Sequence, residues 1–321
     1  IINLCLIYAI IGLSMNLTNG FAGQFSLGQA GFMAVGAYVV GVFTVPVDLR
    51  PNVFYAVPMN PMIADIQLPL WLALLFGGLL AALIAFLIGW PVLRLRGDYL
   101  AIATLGFSEI IRILITNAQS WTNGALGIKD IPALNDVRYI FIATAITFLF
   151  VTCLINSSYG RAFKAIREDE IAAEAMGVGL FKHKCMAFML SAFFAGIGGG
   201  LYATLLGTVD PKNFLFTLTY NFLLIIVLGG MGSITGSMLG SIIVTGGLEY
   251  LRVFDEPLEL FGMAIPLFRP GFRMVMFSVL LMACVLFWRK GIMGTNEFTW
   301  DKFIAFCKNP VKYFTQKGAN Q

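Results

Sequence analysis

The sequence predicts an all-α fold, a polytopic transmembrane helical bundle with about nine membrane segments. Of the 321 residues, 59% are hydrophobic and 12% are charged, whereas soluble domains contain about 25% charged residues. The mean hydropathy is +0.84, and several apolar runs reach the roughly 20 residues needed to cross a bilayer. The 34 glycines suit closely packed membrane helices, because small residues let two backbones approach.

Nine apolar segments are candidates for these spans. They lie at residues 2–18, 26–46, 68–93, 98–116, 137–156, 185–207, 214–230, 234–251 and 272–288. The segments 214–230 and 234–251 flank the glycine-rich sequence LGGMGSITGSMLGS (228–241). We predict a short or broken helix pair there, with one long broken span as the alternative.

The distribution of Lys and Arg favours two crossings in this region, because both residues concentrate on the cytoplasmic side. With nine spans and residues 160–184 inside, the interior holds 13 of them and the exterior seven; Arg112 lies within a span, which accounts for all 21. A single crossing over 214–251 would move the basic tail outside and make the distribution even. The preferred topology therefore places the C-terminus in the cytoplasm.

The chain opens with IINLCLIYAI, which lacks Met and already lies inside an apolar run. We interpret Ile1 as a trimmed start, after a removed signal peptide or an earlier span. In the preferred topology Ile1 lies outside, so an odd number of upstream spans is expected for a cytoplasmic N-terminus.

Catalytic and metal-binding motifs are absent from the sequence. There is no GxxxxGK[ST] phosphate loop, no HExxH and no GxSxG, so neither an ATPase site nor a hydrolase site is predicted. The five cysteines are scattered without a CxxC pair, and His183 is the single histidine. We therefore predict no catalytic residue, metal or cofactor in this chain, and membrane lipid but no nucleic acid as a partner.

One charged pair lies inside a predicted span. Glu109 and Arg112, in GFSEIIRILI, are three residues apart and share a helix face. Charges inside a membrane are costly and usually functional. The pair is either self-neutralising, with Arg112 reaching towards the outer interface, or it faces a transport pathway.

Small residues form a second pattern. Gly232, Gly236 and Gly240 are four residues apart, which is typical of a close helix contact; the alternative is a broken helix whose backbone groups line a pathway. The sequences GFAGQFSLGQAG (20–31) and GGMGSITGSMLG (229–240) share three glycine positions. An internal repeat and chance similarity both remain open.

The charged segment 160–184, GRAFKAIREDEIAAEAMGVGLFKHK, interrupts this apolar sequence. Lys164 and Glu168 are spaced to form an ion pair on a helix. Asp169 is placed to cap a second short helix, and Gly177 is placed to end it.

That second helix is predicted to be amphipathic. Ile171, Ala175 and Val178 form an apolar stripe, with Glu170 and Glu174 beside it. A solvated loop would need neither the stripe nor the caps. A helix that docks into a groove of another protein would use both.

Four stretches of this sequence resemble the M-type permease subunit of the branched-chain amino acid ABC importers. The resemblance extends in order from about residue 5 to residue 294. Its motifs are NLTNGFAGQFSLGQAGFMAVGAY (16–38), RLRGDYLAIATLGFSEIIRILITN (94–117), GRAFKAIREDEIAAEAMGV (160–178) and VLGGMGSITG (227–236).

This resemblance implies a multi-pass protein of the bacterial inner membrane that moves hydrophobic, branched-chain amino acids into the cytoplasm. The implied partners are a second, different permease subunit, two cytoplasmic ATPase subunits that bind ATP and Mg, and a periplasmic substrate-binding protein. A transmembrane permease domain would cover residues 1–294, including the coupling segment 160–184, and a basic cytoplasmic tail would cover 295–321.

The resemblance also assigns roles to residues. The charged segment corresponds to the ATPase-coupling element, with Arg161, Lys164, Arg167, Glu168, Asp169, Glu170, Glu174, Ala175 and Gly177 as coupling residues. The pathway or gate candidates are Gln24, Ser26, Gln29, Glu109, Arg112, Gly229, Gly230, Gly232 and Ser233. Arg50, Lys129, Lys212 and Arg269 are expected to be exposed on exterior loops, where they would dock the binding protein.

Two alternatives stay open. A related ABC importer for urea or short amides would share these motifs. A secondary transporter or channel would explain the spans but would leave the docking helix without a role.

Overall fold

The fold is described from a computed structural model of the 321-residue chain. The described residues are 1–94, 99–134 and 136–251, together with 259–260, 263–264, 278–279, 282, 291–294 and 297. Arg269, Lys302, nearly all of the predicted span 272–288 and the tail apart from Glu297 lie outside the described residues.

The described chain is helical over most of its length. Its α-helices are α1 (Ile2–Asn16), α2 (Gln29–Thr44), α3 (Arg50–Val53), α4 (Pro61–Ala64), α5 (Leu70–Val92), α6 (Tyr99–Asn117), α7 (Gln119–Thr122), α8 (Val137–Asn156), α9 (Ser158–Glu168), α10 (Glu170–Ala175), α11 (Leu180–Leu206), α12 (Phe216–Gly229) and α13 (Ile234–Tyr250). A π-helical turn (Leu17–Phe21) extends α1, and 3-10 turns cover Val47–Leu49, Gly124–Leu126 and Pro211–Phe214. Strands β1 (Glu259–Leu260) and β2 (Met263–Ala264) pair antiparallel, with Glu259 opposite Ala264.

Five helices in the described part are long and apolar enough to cross a membrane. They are Ile2–Phe21, Leu70–Val92, Tyr99–Asn117, Val137–Asn156 and Leu180–Leu206. A sixth would combine Gln29–Thr44 with Val47–Val53, although the two are bent by 98°. The polytopic helical bundle is therefore confirmed. The number nine stays a prediction, since α12 and α13 contain only 14 and 17 residues.

Helix α1 lies at the centre of the bundle. Of its most apolar window, 89% is buried inside the protein, and it packs against α8, α11, α12 and α13. Helix α2 is also buried along nearly its whole length, between α5 and α11. By contrast, α5, α6 and α8 keep apolar side chains such as Leu83, Leu114 and Leu149 exposed. Apolar side chains of this protein therefore lie in two environments, the packed core and the outer surface of the bundle.

Glycines set the close approach of α2, α5 and α11. A Cβ atom on Gly36 would overlap the carbonyl of Gly196, and one on Gly199 would overlap the carbonyl of Met33, which joins α2 to α11. On α5, a Cβ on Gly77 would lie 3.2 Å from the carbonyl oxygen of Gly36. Such contacts let the three backbones pack at a distance that larger side chains would forbid.

The predicted glycine ladder is confirmed at two of its three positions. Gly236 packs on the carbonyl of Gly229, and a Cβ atom on Gly236 would lie 2.5 Å from that carbonyl oxygen. Gly240 packs on the carbonyl of Ile225 in the same way. The expectation for Gly232 was wrong, because this residue precedes α13 and has φ +91° in the turn. The ladder therefore joins α12 to α13 and does not include the turn.

We expect Gly236→Leu to reduce the yield of folded protein and to lower its thermal midpoint. The new side chain meets the α12 backbone, and overpacking a tight contact costs about 1–3 kcal/mol. Gly246→Leu is the matched control on the same helix, because a Cβ at Gly246 meets no atom within 4 Å. Size-exclusion profiles and thermal unfolding of both variants in detergent provide the measurement. Equal midpoints for the two variants would show that the Gly236 face is not tightly packed.

Candidate functional site

The candidate site lies where two interruptions of the bundle meet helix α9. The first follows α1, which widens into the π-helical turn Leu17–Phe21 and a loop that ends at α2. The second is the turn 230–233 between α12 and α13. We call this meeting point the junction. It comprises residues 16–28, residues 230–233 and the α9 side chains that contact them.

Asn16 holds the two interruptions together. Its side-chain amide donates to the carbonyl of Ser233 (2.9 Å) and to the hydroxyl of Ser237 (2.7 Å). Its side-chain oxygen accepts a hydrogen bond from the N–H of Gly232 (2.9 Å). Ser233 in turn caps α13 by accepting from the N–H of Gly236. One buried side chain therefore satisfies backbone groups that the break between α12 and α13 leaves free.

Arg167 joins α9 to the junction. Its Nη1 donates to the carbonyl of Gly20 (2.9 Å), and its Nη2 pairs with the carboxylate of Glu168 (2.8 Å). A Cβ on Gly23 would lie 2.8 Å from Cγ of Arg167, and a Cβ on Gly232 would lie 2.8 Å from its Nη1. Both glycines also have positive φ. The loop at Gly23 and the gate candidate Gly232 therefore pack around one arginine side chain.

Lys164 contacts the same region in a different way. Its ammonium lies 6.0 Å from the ring centroid of Phe21, a cation–π distance. The predicted ion pair between Lys164 and Glu168 was wrong, because Glu168 pairs with Arg167 instead. The i,i+4 spacing permits a pair between Lys164 and Glu168, but in the structure Lys164 lies beside Phe21 and Glu168 pairs with Arg167.

The short helix α10 begins as predicted. Asp169 accepts hydrogen bonds from the N–H groups of Ile171 (2.8 Å) and Ala172 (3.0 Å). Gly177 follows its end with φ +84°, and Glu170 pairs with Lys184 at the start of α11. The cap and the ion pair fix α10 against the bundle.

The apolar stripe of α10 faces outward. In the predicted stripe, Ile171 is 77% exposed and Val178 is partly buried. Met176, which is not part of that stripe, is 84% exposed, whereas Ala173 is buried. Glu174 and Ala175 are also exposed, as is Arg161 on α9. By contrast, Phe163 and Ile166 bury the inner face of α9. The segment therefore presents apolar and acidic side chains away from the chain that holds it.

The predicted residues Gln24, Ser26 and Gln29 are all buried in a polar region between α1 and α2. The amide nitrogen of Gln29 donates to the hydroxyls of Ser14 and Ser191. The N–H of Ser26 donates to the side chain of Asn19. Both side-chain amide atoms of Gln24 are buried without a hydrogen-bond partner among the described residues.

Sequence reasoning missed Ser14, Asn16, Ser191 and Thr219 as members of this polar region. Thr219 accepts from the N–H of Ala30 at the start of α2. Polar residues in the apolar sequence GLSMNLTNG (12–20) were the available signal. Asn16 bonds α13 and the turn before it, whereas Ser191 on α11 and Thr219 on α12 bond the start of α2. These partners are distant in sequence, so only the tertiary structure pairs them.

The ion pair between Glu109 and Arg112 is confirmed. Nε of Arg112 lies 2.7 Å from the Glu109 carboxylate, and both side chains are about one quarter exposed, at 25% and 24%. Glu109 also accepts from the N–H of Phe216 (3.3 Å). The pair therefore connects α6 to the first residue of α12.

The expected exposure of Arg50 was wrong. Arg50 is 4% exposed, and its guanidinium donates to four backbone carbonyls, those of Val45, Ile63, Ala64 and Ile66. Five fixed N–H donors make arginine suited to gathering several carbonyls. Arg50 thus organises the loop 47–68 from within and leaves the docking set.

Lys129 and Lys212 are exposed, as expected. Their loops lie side by side, because Ile128 and Val209 exchange two backbone hydrogen bonds. Arg269 lies outside the described residues. The docking role of these lysines stays a prediction.

A cavity of 420 Å³ opens beside the junction. Its walls include Phe21, Lys164, Arg167, Thr235 and Glu297. No group of three His, Cys, Asp or Glu side chains in the described part of the chain could hold a metal ion. The cavity therefore combines two cations of α9 with one carboxylate and the start of α13.

The central apolar helices, the two interruptions and the projecting segment α9–α10 define a polytopic membrane protein of the transport type. Residues 1–284 match the family described as "Branched-chain amino acid transport system / permease component". The chain belongs to this family.

Several relatives carry the same description. The chain is 37% identical over 290 residues to the high-affinity branched-chain amino acid transport system permease protein LivM of Escherichia coli, and 35% identical to that of Salmonella typhimurium. Each match covers 80% of this chain and 64% of the relative. The chain therefore spans less than two thirds of the length of these relatives. A probable LivM of Methanocaldococcus jannaschii is 28% identical, with 88% and 89% covered.

More distant relatives include other permeases. The guanosine ABC transporter permease protein NupQ of Bacillus subtilis is 24% identical over 282 residues. The LivH permease of Escherichia coli is 24% identical over 264 residues. No solved structure matches the chain.

Proposed function

We propose that this chain is an inner-membrane permease subunit of an ATP-driven importer for branched-chain amino acids. The observation that carries the proposal is the α9–α10 segment. Its Arg167 is bonded to Gly20 in the junction, while the apolar side chains Ile171 and Met176 of the same segment are exposed. A segment that is held inside by a charge-assisted bond and offers an apolar face outside suits a coupling element.

The proposed complex follows the family. A second permease subunit, of the kind named LivH among the relatives, would share the transport pathway. Two cytoplasmic ATPase subunits would bind ATP and Mg, and a substrate-binding protein would deliver the amino acid. This chain would carry no ATPase site of its own. In this arrangement the α9–α10 segment and the C-terminus lie in the cytoplasm.

The proposed mechanism runs through the contacts of the junction. Movement of α10 would pull α9, and Arg167 would pass that movement to the carbonyl of Gly20. Asn16 would pass it from the π-helical turn to Gly232 and Ser233. The turn 230–233 would thereby change position and open or close the pathway by alternating access.

The substrate class rests on graded similarity. Identity to the LivM proteins is 35–37%, against 24% to the guanosine permease. A nucleoside importer is therefore the second candidate, and urea or a short amide is the third. A secondary transporter would need an ion site, and the one candidate pair within the described helices, Glu109 and Arg112, is already neutralised.

The proposed function is tested with the complex purified through this chain and reconstituted in proteoliposomes. We expect the ATPase, second-permease and binding-protein subunits to copurify. We also expect ATP-dependent uptake of labelled leucine, which unlabelled isoleucine and valine reduce and guanosine and urea do not. Uptake by this chain alone, driven by an ion gradient, would contradict the proposal.

A second prediction concerns the exposed rim of α10. We expect Glu174→Lys to leave folding and assembly intact but to separate ATP hydrolysis from uptake. A reversed charge at a docking rim alters how the partners orient and associate. Asp48→Lys is the control, because Asp48 is also exposed but lies in the loop after α2. Normal stimulated hydrolysis and normal uptake by the Glu174 variant would exclude this rim from coupling.

A third prediction concerns the binding-protein surface. We expect the combined change of Lys129, Lys212 and Arg269 to Ser to raise the binding-protein concentration that gives half-maximal ATPase stimulation. Raising the salt should have the same effect on the parent, because exposed charges are screened within about 8–10 Å at physiological ionic strength. Hydrolysis without the binding protein should not change. The same half-maximal concentration for variant and parent at low salt would remove these residues from the docking surface.

A further inference from the structure

A segment near the C-terminus closes both ends of the break between α12 and α13. We call the described residues 291–294 and Glu297 the strap. The N–H of Ile292 donates to the carbonyl of Leu228 (2.8 Å), and that of Met293 donates to the carbonyl of Gly229 (3.0 Å). These carbonyls belong to the last turn of α12, which has no partner for them within the helix.

The other end of the strap caps α13. The carboxylate of Glu297 accepts from the N–H groups of Ile234 (2.7 Å) and Thr235 (3.1 Å), and from the hydroxyl of Thr235 (2.8 Å). A carboxylate at this position also interacts favourably with the positive end of the helix dipole. Glu297 therefore completes the capping that Ser233 begins.

The strap packs directly against the turn 230–233. Gly230 has φ +119°, and a Cβ there would lie 2.5 Å from the carbonyl oxygen of Gly294. A Cβ on Gly291 would lie 2.6 Å from the carbonyl oxygen of Val227. The backbone of the strap therefore packs directly against the turn 230–233, at a distance that only glycine permits.

The strap and the coupling segment both contribute to one cavity beside this turn. Glu297 lines the cavity together with Lys164 and Arg167 of α9. Opposite charges attract across such a space more strongly than they would in bulk water. A displacement of α9 therefore changes the electrostatic potential at the Glu297 carboxylate.

We propose that Glu297 is a positioning residue of the gate: its carboxylate holds the start of α13, and with it the turn 230–233, in the arrangement seen here. Release of Glu297 accompanies the rearrangement of the turn when α9 moves. The inference rests on the proposed transport function and adds to it a second element, the strap, that controls the same turn.

The experiment compares Glu297→Ala and Glu297→Gln with the parent in the assembled complex in nanodiscs. The first readout is hydrogen exchange at the amides of Ile234 and Thr235. The second is ATP hydrolysis per assembled complex without the binding protein. Asn60→Ala is the control. Asn60 also caps a helix, α4, but it lies in the loop after α2, whereas the junction lies before α2.

We expect Glu297→Ala to speed exchange at these amides about tenfold, as for the loss of a charged cap. Hydrolysis without the binding protein should rise about threefold, because the turn then populates its alternative arrangement. Glu297→Gln should give smaller changes in the same direction, since its amide oxygen still accepts one hydrogen bond. Asn60→Ala should change neither readout.

Two results would overturn the inference. Unchanged exchange in Glu297→Ala would show that the strap does not hold α13. Faster exchange with unchanged hydrolysis per complex would show that Glu297 is only a helix cap. Failure of the proposed function is recognised separately, in the parent, as an absence of hydrolysis stimulated by the binding protein; exchange alone then decides whether the strap holds the turn.

Discussion

The structure depends on satisfying the backbone groups that two interrupted helices leave free inside an apolar bundle. A helix end leaves up to four N–H or four C=O groups without a partner inside the helix, and buried backbone groups of this kind need hydrogen bonds from elsewhere. At the junction, Asn16 serves Gly232 and Ser233, and Arg167 serves Gly20. Glu297 serves Ile234 and Thr235. Three side chains distant in sequence thus converge on one place.

This requirement explains why the charged segment is attached where it is. Arg167 offers several N–H donors on one planar group, so it bonds the carbonyl of Gly20 and still pairs with Glu168. The same bond makes α9 part of the junction. A coupling element attached to an unbroken helix would move a rigid rod. Attached to a break, as we propose for α9, it would act on backbone that the helical repeat does not fix.

The same reasoning gives the strap a role beyond capping. Ile292, Met293 and Glu297 lie far along the chain from the break between α12 and α13 that they help to close, whereas Asn16 and Ser233 close it from the bundle itself. Only a few hydrogen bonds join the strap to the break, and they come from the backbone of Ile292 and Met293 and the carboxylate of Glu297. In the proposal above, release of these bonds opens the break without unfolding either helix.

The sequence by itself determined the fold class, the existence of the apolar helices, the caps of α10 and the pair of Glu109 with Arg112. Each of these follows from composition or from spacing within one helix, where the geometry is fixed by the helical repeat. It could not place Arg50, because a lone arginine in a loop reads as exposed until four carbonyls are seen to surround it. Nor could it exclude the Lys164–Glu168 pair or recognise Asn16 and Glu297. In those cases only the tertiary structure decided. Asn16 and Glu297 bond backbone groups of other elements, which leave no mark in the sequence, and Lys164 lies beside the ring of Phe21 while Glu168 pairs with Arg167.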